Sequence, residues 1–453
     1  MTESEGRYDQ KDNEFIAWYP PALSSDEVAD VWAPREAAFY VHIPFCTAIC
    51  DYCGFAVQRE RDADQPRYLA AVHAEIQRYI DQGRLARLTF SCGHFGGGTP
   101  SVLPAAELVA IIHRLARGAR VTPDAELTVE ANPISFTAEQ AATYLAGGVT
   151  RISLGVQSFD ETILRTIGRP HRREDVEAAL ATARDCGVGN FSLDLIYGVP
   201  GQGMRQLRED LLRAVDSGAT HLSCFRLEII PFTVLKLREA AGELPDRLPR
   251  EVLDEMDDLV AEVLVDAGFV EYGAFNFARP GFESVHNRIA FMAPQGEYVG
   301  FGNGAYSFAD GHIYCNDALI PRYVEAVEAG RDPIAFSRRV SSVEEMSRYF
   351  VLGLKFFRVP RGPFLARFGR TPEEVFAPQL DALAGDGMLR READDYVLTA
   401  AGRRYVNNVC KEFYDAGNRG RRQQVQFVPT LTPGQILAYS RRAGLAAQPA
   451  GAR

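Results

Sequence analysis

The sequence predicts an α/β fold built on a parallel sheet, followed by a smaller and mainly helical unit. Two observations predict it. From Phe39 onward, short apolar runs alternate with segments whose apolar residues recur at helical spacing, which is the pattern of repeated strand and helix units. The residues with chemistry to offer fall at the C-terminal ends of those runs, where the loops of a β/α barrel gather. At least six such units fit a partial (β/α)6 barrel better than a flat sheet, although periodicity alone does not separate the two.

Taken in order, residues 1–37 read as an irregular leader in which proline removes backbone donors, with Trp18 to Pro21 and Trp32 to Pro34 as anchors packed on a domain surface. A first strand beginning at Phe39 runs into Cys46, and Leu69, Val72, Ile76 and Ile80 mark the helix after it. Strands follow at 88–90, 126–130, 151–154, 190–197 and 221–230, with helices near 105–115, 137–145 and 176–183. A turn at 96–100 closes the second strand. The barrel is placed at 38–320. From Ile320 the alternation stops. Ser342 and Glu345 form a capping-box pattern opening a helix to Leu354, and further helices near 364–368 and 380–383 precede a hairpin through 389–399. That order is winged-helix-like and defines a unit at 321–425, with a flexible tail at 426–453.

Composition narrows the function. With 453 residues, 46% hydrophobic and 24% charged, the chain supports a large domain and a smaller one. No apolar run approaches the ~20 residues needed to span a bilayer, and Met1 to Glu14 lack the regions of a signal peptide. The reading is cytoplasmic, where thiols stay reduced. A net charge of -11 argues against a general polyanion binder, so no nucleic-acid partner is expected.

The chemistry centres on Cys46, Cys50 and Cys53, spaced C-x3-C-x2-C after the first strand. A structural zinc site wants four closed ligands, whereas a cubane held by three cysteines leaves one iron open to a ligand that is not protein. The other five cysteines are scattered singly, so no second pair supports zinc. Zinc, thiol redox chemistry and simple burial remain alternatives on spacing alone. Gly96 to Pro100 exposes backbone amides to a ligand, Glu130 sits at a strand end as an acceptor or a salt-bridge partner, and Asp194 in an apolar strand calls for hydrogen-bond donors.

The stretch from Tyr40 to Cys46, with the cysteine spacing, resembles the radical S-adenosylmethionine (SAM) superfamily. More narrowly it resembles the branch of oxygen-independent coproporphyrinogen III oxidase (HemN), the heme chaperone (HemW) and the class C radical SAM methyltransferases. The resemblance covers roughly residues 38–412. It selects the partial barrel and implies a 4Fe-4S cluster on Cys46, Cys50 and Cys53, with SAM on the free iron and reductive cleavage to a 5'-deoxyadenosyl radical. It implies SAM contacts at Tyr40, Gly97, Gly98, Thr99, Glu130 and Tyr306, with Tyr40 and Glu130 the catalytic candidates. It also implies a second SAM near Tyr52, Gln157, Arg169, Asp194 and Glu228. Phe55 stands where the oxidase carries a further cysteine. Gly54 and the segment Ile289 to Phe291 depart from the chaperone pattern, and His286 reads as a structural hydrogen-bonding residue. The reaction expected on these grounds is methyl or methylene transfer to an sp2 carbon of a planar conjugated substrate. An oxidase-like decarboxylase or heme-degrading enzyme and a heme chaperone are the alternatives. An external one-electron donor such as flavodoxin or ferredoxin is the implied partner.

Overall fold

The computed structural model describes residues 35–61, 63–231, 233–291 and 296–421, together with Tyr8, Ile16, 18–22, 24–26, Val28 and Ala33. Trp32, Pro34 and the tail 426–453 lie outside these residues, as do the side chains of Ala290 and Phe291.

Six parallel strands lie side by side in chain order: β1 (Arg35–Ile43), β2 (Leu88–Gly97), β3 (Arg120–Ala131), β4 (Arg151–Gln157), β5 (Phe191–Tyr197) and β6 (His221–Arg226). Along them the side chains alternate between two faces with period two. Phe39, Val41 and Ile43, Leu127 and Val129, Ile152, Leu154 and Val156, and Leu193 and Leu195 join one hydrophobic core. The apolar stripes of the helices α1 (Gln65–Asp81), α2 (Ala105–Gly118), α3 (Ala138–Ala146), α4 (Arg173–Asp185) and α5 (Met204–Asp216) pack into the same core. The intervening residues are polar: Tyr40, His42, His94, Glu126, Glu130, Arg151, Ser153, Asp194 and His221. Helices therefore cover the apolar face, and the other face is built to meet something polar.

The sheet extends past both edges of the parallel set. Beyond β6 come β8 (Asn276–Ala278) and then β7 (Val270–Gly273), both antiparallel to their neighbours. Beyond β1 comes β9 (Tyr298–Phe301), parallel to it. The antiparallel strands β10 (Tyr306–Ala309), β11 (His312–Asn316) and β12 (Ile334–Arg339) follow, giving this sheet 12 strands among the described residues.

Two expectations about the strands are corrected. Gly96 and Gly97 belong to β2 rather than to a turn, because β2 stays in register with β1 as far as Gly97. The sixth strand stops at Arg226, so Glu228 lies beyond it and is exposed.

After the short helices α6 (Val234–Ala240) and α7 (Ile320–Glu328), a second core forms around Tyr349, Phe350, Phe364, Phe376 and Phe413. It is framed by α8 (Ser342–Gly353), α9 (Arg361–Phe368) and α10 (Pro372–Gly385). A three-stranded sheet of β13 (Arg358–Pro360), β14 (Leu389–Glu392) and β15 (Asp395–Leu398) completes the frame, with β15 in the middle. The capping box of α8 is one residue earlier than expected, since Ser341 caps the Glu344 backbone and Glu344 returns the bond.

The described leader aromatics do pack, but inside rather than on a surface. Tyr8, Ile16 and Tyr19 are members of the second core. The Tyr8 hydroxyl donates to Asp386 at 2.9 Å and Asn408 Nδ2 donates to the Tyr8 carbonyl at 2.6 Å. Trp18 stacks on Tyr306, with ring centroids 4.3 Å apart.

Candidate functional site

Cys46 ends a two-residue strand, Phe45–Cys46, paired with Gln58–Arg59, so the loop carrying Cys50 and Cys53 leaves and returns at one fixed point. The glycine run packs directly under it. Gly98 N donates to Ile43 O at 2.7 Å and Thr99 N to Phe45 O at 2.8 Å. A Cβ on Gly98 would lie 2.7 Å from the Phe45 carbonyl oxygen, so no side chain fits there.

Two donors face the sulfurs. The Thr99 hydroxyl lies 3.6 Å from Cys46 Sγ, and Arg169 Nη1 lies 3.1 Å from Cys50 Sγ while its Nη2 donates to Gly155 O at 2.5 Å. Burial pushes the Cys46 thiol up to about 11 and the Cys53 thiol up to about 12, which disfavours a bare thiolate at either sulfur. Among the described residues, no three His, Cys, Asp or Glu side chains gather as ligands of one ion. The thiols of a cubane hold different irons, so such a cluster does not require them to converge on one ion.

On the polar face, the Tyr40 hydroxyl lies 3.1 Å from His42 Nδ1, and His42 Nε2 lies 3.0 Å from Ala56 O. A carbonyl can only accept, so His42 carries its proton on Nε2 and Tyr40 donates to Nδ1. His94, opposite Tyr40 in register, places Nε2 2.8 Å from Glu130 Oε1, while Gly97 N donates to Glu130 Oε2 at 3.2 Å. A Cβ on Gly96 would lie 2.8 Å from Glu130 Oε1. The first glycine thus clears the carboxylate and the third clears the cluster loop. His94 also stacks on His286, with centroids 4.7 Å apart. Asp194 accepts from Ser153 Oγ at 3.4 Å, and burial, with the Glu130 charge, pushes its carboxyl up to about 6.

The structure therefore brings Cys46, Cys50, Cys53, Thr99 and Arg169 into one group, with Gly98 beneath it. Tyr40, Gly97 and Glu130 are linked through His42 and His94. Gln157, held at φ +66, and Arg169 both crowd Gly155. Tyr52 packs against an apolar cluster of Ile163, Ile167, Ile196 and Val199. Glu228 is exposed beyond the sixth strand, and Tyr306 stacks on Trp18. The structural role expected of His286 belongs to its backbone, whose N–H meets Glu126 Oε1 together with Ser284 Oγ and Val285 N. Its buried ring Nδ1 has no partner among the described residues. Sequence reasoning missed His42 and His94 as partners of Tyr40 and Glu130. The two-residue spacing of Tyr40 and His42 is a visible signal, but placing His94 needs the strand register.

An open parallel barrel with a three-thiol loop over a glycine-rich strand end defines a radical SAM protein. The profile of the Radical SAM superfamily matches residues 40–214. Heme chaperone HemW of Bacillus subtilis is 31% identical over 378 residues, covering 83% of this chain and 98% of that protein. Heme chaperone HemW of Escherichia coli is 31% identical over 386 residues, covering 83% and 97%. The structure of coproporphyrinogen III oxidase (HemN) from Escherichia coli, described as a radical SAM enzyme, superposes with a TM-score of 0.78 at 26% identity, over 88% of this chain and 96% of that one. The chain belongs to the HemN/HemW-like family of the radical SAM superfamily, whose cofactors are a 4Fe-4S cluster and SAM.

The expectation of methyl or methylene transfer is overturned by these relatives, which bear the name heme chaperone at 31–35% identity. Gln157, Arg169 and Asp194 were its support, and two of them have structural partners here in Gly155 O and Ser153. Among the described residues, no helix is long and apolar enough to cross a membrane.

Proposed function

We propose that this chain is a heme-handling protein that keeps the radical SAM cofactors. The end-to-end likeness to proteins named heme chaperones carries the reading. The mouth of the site agrees with it. Phe55, immediately after the cluster loop, is 66% exposed, and Ile230 and Phe225 are exposed as well. Ile230 lies against Gly54, where a Cβ would meet its Cδ1 at 3.0 Å, and Phe225 meets Phe275 with centroids 5.5 Å apart. An apolar rim of this kind suits a flat, conjugated ring better than a charged one.

In this reading Cys46, Cys50 and Cys53 hold the cluster and Glu130 accepts from the polar groups of SAM; the N–H groups of Gly97, Gly98 and Thr99 are bonded within the chain, so the glycines meet SAM through their carbonyls rather than through exposed amides. Bound there, the cluster would supply one electron to SAM through the iron without a protein ligand. Tyr40, through His42, holds the inner wall, and His94 keeps the Glu130 carboxylate turned into the site. Arg169 places positive charge beside Cys50. An external one-electron donor would serve as the physiological reductant.

The test is an anaerobic absorbance titration of the reconstituted protein with heme, beside chromatography of the SAM products under reductant. Heme binding near one equivalent, with only slow formation of 5'-deoxyadenosine, is the expected result. Phe55→Asp and Ile230→Asp should each weaken heme binding, by about tenfold. Rapid turnover of coproporphyrinogen without heme binding would instead favour an oxidase.

A further inference from the structure

We propose that Asp51 and Arg238 form a clamp that fixes the turn between the second and third cluster cysteines, and that they are positioning residues for the cluster. The inference rests on the assignment of Cys46, Cys50 and Cys53 as its ligands.

Asp51 sits between Cys50 and Cys53, and its backbone N–H, its carbonyl and one carboxylate oxygen are engaged by segments distant in sequence. Its N–H donates to Ile167 O at 3.2 Å, and its carbonyl accepts from Leu235 N, in α6, at 2.7 Å. Its carboxylate Oδ2 accepts from Arg238 Nη1, also in α6, at 2.5 Å. The same Nη1 donates to Thr166 O at 2.9 Å, so one guanidinium nitrogen ties the cluster loop to the 166–169 turn.

That turn closes on the carboxylate. Gly168 has φ +69, and a Cβ there would fall 2.4–2.8 Å from the Asp51 carboxylate atoms. The next residue, Arg169, reaches Cys50 Sγ at 3.1 Å. The Asp51 and Arg238 side chains are only 20% and 21% exposed, so the pair is screened less than a surface ion pair.

Three segments therefore meet behind the cysteine turn: the loop itself, the 166–169 turn and α6. A turn held through backbone N–H, backbone C=O and side chain cannot swing, so Cys50 and Cys53 keep their spacing before any iron arrives. Once iron is bound, the same contacts hold the sulfurs against loss. Outer partners of this kind orient metal ligands without touching the metal.

The test uses the full-length chain, reconstituted anaerobically, with Asp51→Ala, Arg238→Ala, the double variant and Arg238→Gln. Arg238→Gln keeps donors and removes the charge. Iron and sulfide per chain, the electron paramagnetic resonance spectrum of the reduced cluster, loss of cluster absorbance in air and the melting temperature are measured together. Asp51→Ala and Arg238→Ala should each lose the cluster in air about tenfold faster than wild type, with an altered resonance spectrum, and the double variant should be no worse than either. Arg238→Gln should fall between Arg238→Ala and wild type, and it decides the matter if the alanine variants misfold. Wild-type decay and spectrum in Arg238→Gln, or strictly additive effects in the double variant, would overturn the clamp. A wild-type chain that takes up no iron and sulfide would overturn the ligand assignment instead, a result visible before any variant is made.

Discussion

Gly97 has φ +107, and a Cβ there would lie 2.3 Å from the His42 ring, which holds Tyr40 in place. Gly97→Ala is expected to cost roughly 2–4 kcal/mol in urea unfolding, from backbone strain and overpacking together. Glu75 offers a pH test. Its buried carboxylate accepts from Gly302 N at 2.9 Å, Tyr323 Oη at 2.7 Å and Asn316 Nδ2 at 2.7 Å, yet burial outweighs these donors and lifts it from 4.5 to about 7. Between those two values the folded chain binds more protons than the unfolded one. Stability from this group should therefore fall as pH rises through that window, by roughly 3 kcal/mol in all. Urea titrations across the window should show that slope in the wild type and not in Glu75→Gln. The three-cysteine loop after the first strand was legible in the sequence because its spacing is local, whereas Gly96 and Gly97 read as a turn and belong to β2. The bond from His94 to Glu130 was not legible, since it depends on which residues of neighbouring strands stand side by side.

At the scale of elements, α8 shows where local pattern stops deciding. Ser341 and Ser342 are followed three residues later by Glu344 and Glu345, so two capping boxes overlap in the sequence. Burial settles which one forms, because Glu344 is also held by Arg338 and by Asn418 Nδ2. Ser341→Ala should cost about 1 kcal/mol and Ser342→Ala a few tenths, read from thermal or urea unfolding. The second strand was cut short for a related reason. Glycine reads as a turn in a single sequence, but pairing along β1 carries the extended backbone through Gly96 and Gly97.

For the whole molecule, the partial barrel was legible because every unit repeats the same alternation of strand and helix. The antiparallel strands beyond both edges were not, because they are short and carry no repeat. Nor was the union of the two ends of the chain, which has no local signature at all. Tyr8, Ile16 and Tyr19 lie in a core otherwise built from residues beyond 270, and the Tyr19 hydroxyl donates to Asp415. Deleting residues 1–22 should remove several kcal/mol of buried apolar contact and expose that core, detectable as a lower melting temperature and as binding of a hydrophobic dye.

That union also sets an order of events during synthesis. Tyr19 and Asp415 are 396 positions apart, and a ribosome adding about 5–20 residues per second takes on the order of half a minute to cover that distance. Until then the early segment has nowhere to dock, so this piece of the architecture closes last. The nascent chain must keep those aromatic rings out of trouble while it waits.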